Sequence, residues 1–182
     1  KEVISRPSLT YWQDAWRRLK KNYLSMIGLF FIILMGLLAI LGPFFSNFSY
    51  SDQSLQLSNL PPRLEIYQID ESNYVYMNKE YKLVEVTEDG YVNKRLDPTN
   101  DDIFTKSRAY EVNGKEVVID YSFAAAAKKS GDPDAKKFEI RVDGTAIDQY
   151  DKVGNKTYWF GSDSLGRDLY IRVLYGARVS LL

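Results

Sequence analysis

The chain has 182 residues, with 24 basic and 24 acidic side chains, no cysteine and no histidine. That composition excludes disulfides, thiolate sites, Cys–His and Ser–His–Asp catalysis and histidine-based metal centres from this stretch. The net charge of zero hides an asymmetry: residues 1–21 carry six basic and two acidic side chains, while residues 52–160 carry fifteen and twenty. No basic patch interleaved with aromatics occurs in the acidic stretch, so no nucleic-acid partner is expected.

The first predicted element is an amphipathic helix in an arm spanning residues 1–21. Leu9, Trp12, Trp16, Leu19 and Tyr23 recur at helical spacing, and Asp14, Arg17, Arg18 and Lys21 occupy the other side. Thr10-Tyr-Trp-Gln13 fits a capping box, which places the helix start near Thr10. Indoles on one face and cations opposite suit a helix lying at a membrane interface, with Trp12, Trp16, Arg17, Arg18, Lys20 and Lys21 as the interfacial set. A simple aromatic belt at the end of a spanning helix is the competing reading.

Between Lys21 and Asp52 there is no charge, and fourteen residues from Leu24 to Phe45 are Leu, Ile or Phe. A run of about 20 apolar residues matches the roughly 30 Å hydrocarbon core of a bilayer. Residues 22–45 are therefore expected to cross a membrane. A cleaved signal peptide has a shorter apolar region and a small-residue cleavage site, and neither occurs here. Basic flanks stay cytoplasmic, which puts the N-terminus inside and the stretch from residue 46 to 158 outside. Gly28, Ile32, Gly36 and Ala39 fall near one stripe, where Gly28 and Gly36 would admit a partner helix. Pro43 falls near the outer end, where a lost hydrogen bond costs least.

After a linker over residues 46–62, ending in the stiff Leu60-Pro-Pro62, residues 63–157 read as a β-rich (α+β) domain. Asp89-Gly90, Asn113-Gly114 and Asp143-Gly144 each sit between strand-like runs and signal hairpins. The paired runs are Tyr81–Val86 with Tyr91–Leu96, Ala109–Val112 with Glu116–Tyr121, and Lys137–Val142 with Thr145–Ile147. Leu64–Ile69 and Asn73–Met77 add two strands, and the alanines of Ser122–Lys129 a short helical piece; Ser130-Gly-Asp-Pro133 is a loop. Asp97, Asn100, Asp101 and Asp102 form an acidic loop without calcium-loop spacing, and it reads, like Asp132 and Asp134, as solvated surface. Asn47-Phe-Ser49 and Asn155-Lys-Thr157 fit glycosylation sequons. There is no phosphate loop, so no nucleotide hydrolysis is expected of this chain.

The last 25 residues are the most specific. Phe160-Gly-Ser-Asp163 reads as a turn, with Ser162 or Asp163 as N-cap of a helix on which Asp168 and Arg172 form an i,i+4 pair. Leu165, Leu169, Val173, Gly176 and Ser180 would share one face, and Tyr158 and Trp159 would sit before it as interfacial residues. The helix then turns apolar at Val179-Ser-Leu-Leu182, as the start of a second span would.

This stretch resembles the W-F-G-T-D-x-x-G-R-D…R…G-A-R-x-S-L signature of peptide ABC-importer permeases, in particular the C-type subunit of oligopeptide and dipeptide transporters. Trp159, Phe160, Gly161, Asp163, Gly166, Arg167, Asp168, Arg172, Gly176, Ala177, Arg178, Ser180 and Leu181 match as they stand. Ser162 stands where Thr is usual, Tyr158 where His is frequent and Ile171 where Ser is frequent. Residues 12–22 and the Pro43–Asp52 exit are similar to the same family. The resemblance implies a multi-pass plasma-membrane subunit with an extracellular insertion, working beside a second permease, two cytoplasmic ATPases and an extracellular peptide-binding protein. It implies a transporter rather than an enzyme, with no catalytic, cofactor or metal residues in this chain and the coupling loop beyond Leu182. The Arg167–Asp168 helix would brace the outer mouth. The rival reading is a single-pass anchored receptor whose β domain binds a ligand; it leaves the second cationic helix at residues 158–182 without a purpose.

Overall fold

The computed structural model describes residues 10–132 and 135–181. Leu9 of the amphipathic face, Pro133 and Asp134 of the surface loop, and Leu182 lie outside the described residues. The chain forms two compact units, one of residues 1–47 and 173–182, the other of residues 48–172.

In the first unit, helix α1 runs Tyr11–Lys21 and α2 runs Tyr23–Leu41. The Thr10 N–H donates to Gln13 Oε1 at 3.3 Å, which satisfies one of the donors that a helix start leaves open. Arg18, Lys20 and Lys21 fill the last turn of α1, where cations complement the helix dipole. Asn22 separates the helices with an extended backbone (φ −101°, ψ 104°), and its side chain caps α2 by accepting the Leu24 N–H at 3.1 Å. The helix α2 continues into a 3-10 turn at Gly42–Phe45, set by Pro43 in its first positions. From Tyr23 to Phe45 this is the one segment among the described residues long and apolar enough to cross a membrane. Several of its large side chains, Phe30, Phe31 and Ile32 among them, are more than half exposed.

The second unit is built on two antiparallel five-stranded sheets. Its strands are β1 Arg63–Gln68, β2 Tyr74–Met77, β3 Leu83–Val86, β4 Val92–Arg95, β5 Asn100–Asp102, β6 Ser107–Val112, β7 Lys115–Asp120, β8 Glu139–Val142, β9 Thr145–Ile147 and β10 Asp151–Gly154. Helix α3, Ala124–Ser130, lies between β7 and β8. One sheet has the order β10-β1-β2-β3-β4, the other β5-β6-β7-β8-β9. The three Asx-Gly dipeptides turn the β3–β4, β6–β7 and β8–β9 hairpins, and each Asn/Asp-Gly glycine has a positive φ.

Two strands depart from the sequence reading. Asn100–Asp102, read as an acidic loop, is the edge strand β5, and Asp101 there meets Arg108 Nε at 3.0 Å. Strand β10 has no apolar alternation to announce it; it forms because Arg63–Ile66 pair with Gly154–Asp151.

Strands β2 and β3 of the first sheet are buried on both faces, which explains why they read as near-continuous apolar runs. One face presents Tyr67, Val75 and Leu83 to the second sheet, whose Tyr110, Val117, Ile119 and Ile140 complete that core. The other presents Leu64, Ile66, Tyr74, Tyr76, Val84 and Val86 to Leu57, Leu60 and Tyr158. Each such side chain, removed from water, contributes about 1.5–3 kcal/mol. Residues 48–62 and 155–172 thus share a core with the sheets, so the compact unit is wider than the 63–157 domain drawn from composition.

Helix α4 runs Leu169–Leu181, later than the sequence reading placed it. Neither Ser162 nor Asp163 caps it; Asp168 does, its Oδ1 accepting the Tyr170 N–H at 3.0 Å. Leu165 therefore lies before the helix rather than on its face.

Candidate functional site

Residues 158–172 and 48–62 fold together as a clasp within the second unit. Gly161 has φ +83°, and a Cβ there would lie 2.3 Å from the Leu60 carbonyl oxygen. Gly166 has φ +69°, and its Cβ would lie 1.7 Å from the Ser54 oxygen. Both glycines are required for backbone conformation and for close approach at once. The backbone at and beside them makes the bonds: the Ser162 N–H donates to Leu60 O at 2.9 Å, Asn59 N–H to Asp163 O at 2.9 Å and Ser54 N–H to Gly166 O at 3.3 Å.

Ser162 is buried, and its hydroxyl does two jobs. It accepts the Leu60 N–H at 2.9 Å and donates to the Leu57 carbonyl. A serine or threonine can do both, since a hydroxyl is donor and acceptor, so the departure from the usual threonine keeps this chemistry.

Asp163 organises the loop before α4. One carboxylate oxygen accepts the N–H groups of Leu165 (2.9 Å) and Arg167 (3.0 Å); the other meets Arg167 Nε and Nη2, each at 2.7 Å. Arg172 Nε stands 3.9 Å from the same oxygen, and its guanidinium lies over the Tyr50 ring at 5.0 Å. Burial pushes the Asp163 carboxyl upward, but the bonds from Arg167 and the two N–H groups outweigh it and hold the group below the usual carboxylate range. The ion-pair partner that the structure gives Arg172 is Asp163, where i,i+4 spacing had pointed to Asp168. Asp168 is buried as well.

Tyr158, expected as an interfacial residue, is instead buried and stacked on Phe48 with ring centroids 4.7 Å apart. Burial raises its phenol pKa. Trp159 and Phe160 are about half exposed (51% and 53%), both packed against Tyr170. Asn155 was not singled out as structural. It is buried, its Nδ2 donates to Pro61 O at 3.1 Å, and its Oδ1 accepts the Thr157 and Tyr158 N–H groups. Its amide is engaged, so the Asn155 sequon is not presented for modification; Asn47 is exposed. The only sequence hint was the Asn-x-Thr spacing that also suits an Asx turn.

The remaining predicted residues fall in the first unit. Arg178 Nη2 donates to Ala39 O at 3.2 Å, a cation on a carbonyl of the last turn of α2, and lies over Tyr175 at 4.9 Å. Ala177 and Ser180 line a cavity of about 380 Å³ with Phe31, Ile32 and Met35. A Cβ on Gly28, Gly36 or Gly176 would meet nothing within 4 Å, so these positions are open in this chain. On α1, Trp12 and Trp16 are exposed, Lys20 lies 5.4 Å over Trp16, and Arg18 pairs with Asp14 at 2.8 Å; Arg17 and Lys21 are exposed. Among the described residues, no group of three Asp or Glu side chains is placed to hold a metal.

A long apolar helix, an amphipathic helix before it, and an exit segment tied to the base of a further helix are the features of a membrane-domain type of chain. Residues 10–62 match the family described as the N-terminal TM domain of oligopeptide transport permease C. Over 61 residues the chain is 56% identical to the dipeptide transport system permease protein DppC of Bacillus subtilis (strain 168), covering 34% of this chain and 19% of that protein. It is 44% identical over 61 residues to the oligopeptide transport system permease protein OppC of the same organism, 34% of this chain and 20% of that protein. A 68-residue match at 32% identity, 35% of this chain and 20% of the relative, is to DppC of Lactococcus lactis subsp. cremoris (strain MG1363). The chain spans about a fifth of the length of these curated relatives. No solved structure matches. Over residues 10–62 the chain is similar to the C-type permease subunits of oligopeptide and dipeptide transport systems.

Proposed function

We propose that this chain is part of the transmembrane subunit of an ATP-driven importer that takes up peptides delivered by an extracellular binding protein. The observation that carries the reading is the clasp. Ser162, Asp163 and Gly166, at positions of the family signature, bond to residues 54–60, inside the segment that matches the permease family. The family match and the signature, far apart in sequence, meet in one piece of structure.

In this reading α2 crosses the plasma membrane with Lys21 on the cytoplasmic side, α1 lies at that interface, and residues 46–158 face outward. The basic arm and the acid-leaning stretch support that orientation. A second permease and two ATPases complete the assembly, and ATP hydrolysis belongs to the latter. The chain itself supplies no catalytic group. The clasp holds the outer end of the pathway, and the two sheets between Arg63 and Gly154 offer the binding protein a docking surface. The single-pass receptor reading is not favoured, because it gives no role to the permease-type residues 10–62.

The test is peptide uptake by the assembled transporter carrying Arg167→Glu. Placing a carboxylate against Asp163 breaks the pair at 2.7 Å and sets like charges together. Uptake should fall while the subunit stays in the membrane at its normal level. Undiminished uptake would remove the clasp from the transport pathway.

A further inference from the structure

A cleft of about 620 Å³ opens beside strands β1 and β2 in the second unit, within the roughly 300–1,000 Å³ typical of small-ligand sites. Its walls are aromatic: Tyr67, Tyr81 and Phe138, with Pro61 and Pro62 at one end. Its rim is cationic. Arg63, Lys79, Lys137 and Lys152 line it against a single carboxylate, Glu65, which Lys152 already engages at 2.8 Å. Among the described residues, Arg63, Lys79 and Lys137 have no ion-pair partner.

The backbone at this cleft is held in an unusual state. Tyr81 has φ +57°, a left-handed conformation that a bulky side chain rarely adopts and that tends to mark sites of function. It is fixed from two sides. Arg108 Nη1 donates to the carbonyls of Glu80 (2.6 Å) and Tyr81 (3.3 Å), and the Tyr81 ring stacks on Tyr121 at 4.8 Å and 7°. Phe138 then packs across both Tyr81 (6.4 Å) and Tyr67 (6.2 Å). Burial pushes the Tyr67 phenol up to about 12, so near neutral pH it keeps the proton it would donate.

We infer that this cleft binds a compact organic anion: a carboxylate held by Lys79, Lys137 and Arg63, attached to an aromatic or branched apolar body that lies between Tyr81, Tyr67 and Phe138. A free organic acid and the C-terminal residue of a short peptide share this chemistry. The site does not depend on the importer reading, since every group in it lies on the β module.

The test is calorimetric titration of the full chain in lipid nanodiscs with N-acetylphenylalanine, its carboxamide, and Ala-Ala-Phe with a free or an amidated C-terminus. The free carboxylates should bind about tenfold more tightly than the amides, the loss expected for a charge-assisted contact. That preference should vanish in the K79Q/K137Q double variant, whose unfolding temperature should be unchanged because both side chains are exposed. Tighter binding of the tripeptide acid would identify a peptide terminus as the source, and tighter binding of the acetylated amino acid a free acid. Equal affinity for acid and amide, or no binding of either at millimolar concentration, would overturn the proposal, as would a carboxylate preference that survives K79Q/K137Q.

Discussion

Ser162 shows how much one side chain can hold. Its hydroxyl is the only partner that the structure gives the buried Leu60 N–H, and it donates in turn to Leu57 O. Ser162→Ala should therefore cost about 1–3 kcal/mol, the penalty for leaving a buried donor unsatisfied. Ser162→Thr keeps the hydroxyl and should cost much less. Thermal unfolding of the two variants in the same detergent checks the ordering, and equal losses would mean that packing rather than the hydroxyl matters there. The sequence marked Ser162 only as a turn residue, a candidate N-cap and a departure from the family's usual threonine. Its partners lie 102 and 105 positions upstream, a separation no local pattern encodes. The same holds for Gly161 and Gly166: their need for glycine comes from the carbonyls of Leu60 and Ser54, which reach them only in the folded chain.

At the scale of elements, the hairpins were legible because their information is local. An Asx-Gly pair between alternating runs specifies turn and register together. What surrounds each glycine was not legible. Gly90 and Gly114 occupy equivalent places in the sequence pattern and both have positive φ, +94° and +77°. A Cβ at Gly114 meets nothing within 4 Å, whereas one at Gly90 would lie 2.1 Å from the Gly154 carbonyl oxygen. Gly114→Ala should cost about 1 kcal/mol, the backbone term alone. Gly90→Ala should cost about 3 kcal/mol, since it also pushes β10 away. Denaturant midpoints of the two variants test this, and similar midpoints would refute the close approach. Strands β5 and β10 escaped the sequence reading for a related reason. Asn100–Asp102 and Asp151–Gly154 are short polar edges whose strand state is imposed by neighbours β6 and β1. The late start of α4 has a physical cause too: Asp163 turns its carboxylate onto the loop N–H groups, and the loop is spent before Asp168 can cap.

At the scale of the whole molecule, the β module enters and leaves the clasp at one point. The Asn155 N–H donates to Pro62 O at 2.9 Å, and Arg63 pairs with Gly154. Adjacent ends are what tolerated insertions have, and joining Pro62 to Asn155 would need little backbone movement. The apolar contacts argue the other way. Leu57, Leu60 and Tyr158 of the clasp are buried in the same core as Ile66, Tyr76, Val84 and Val86 of the first sheet. Excising residues 63–154 removes that cover and leaves three large apolar side chains facing water, at about 25 cal/mol for each Å² uncovered. The deletion should therefore leave helices α1 and α2 intact, because their bonds are internal to the first unit. It should loosen the clasp, seen as loss of amide exchange protection at Leu60 and Ser162. In the assembled importer the same deletion should also weaken association of the binding protein if the module is its docking surface. Loosening of the clasp with unaltered association would make the module a brace for the permease rather than a dock. Full protection at Leu60 and Ser162 after excision would show that the hydrogen bonds of Ser162 and the Asp163–Arg167 pair hold the clasp without the sheet behind it.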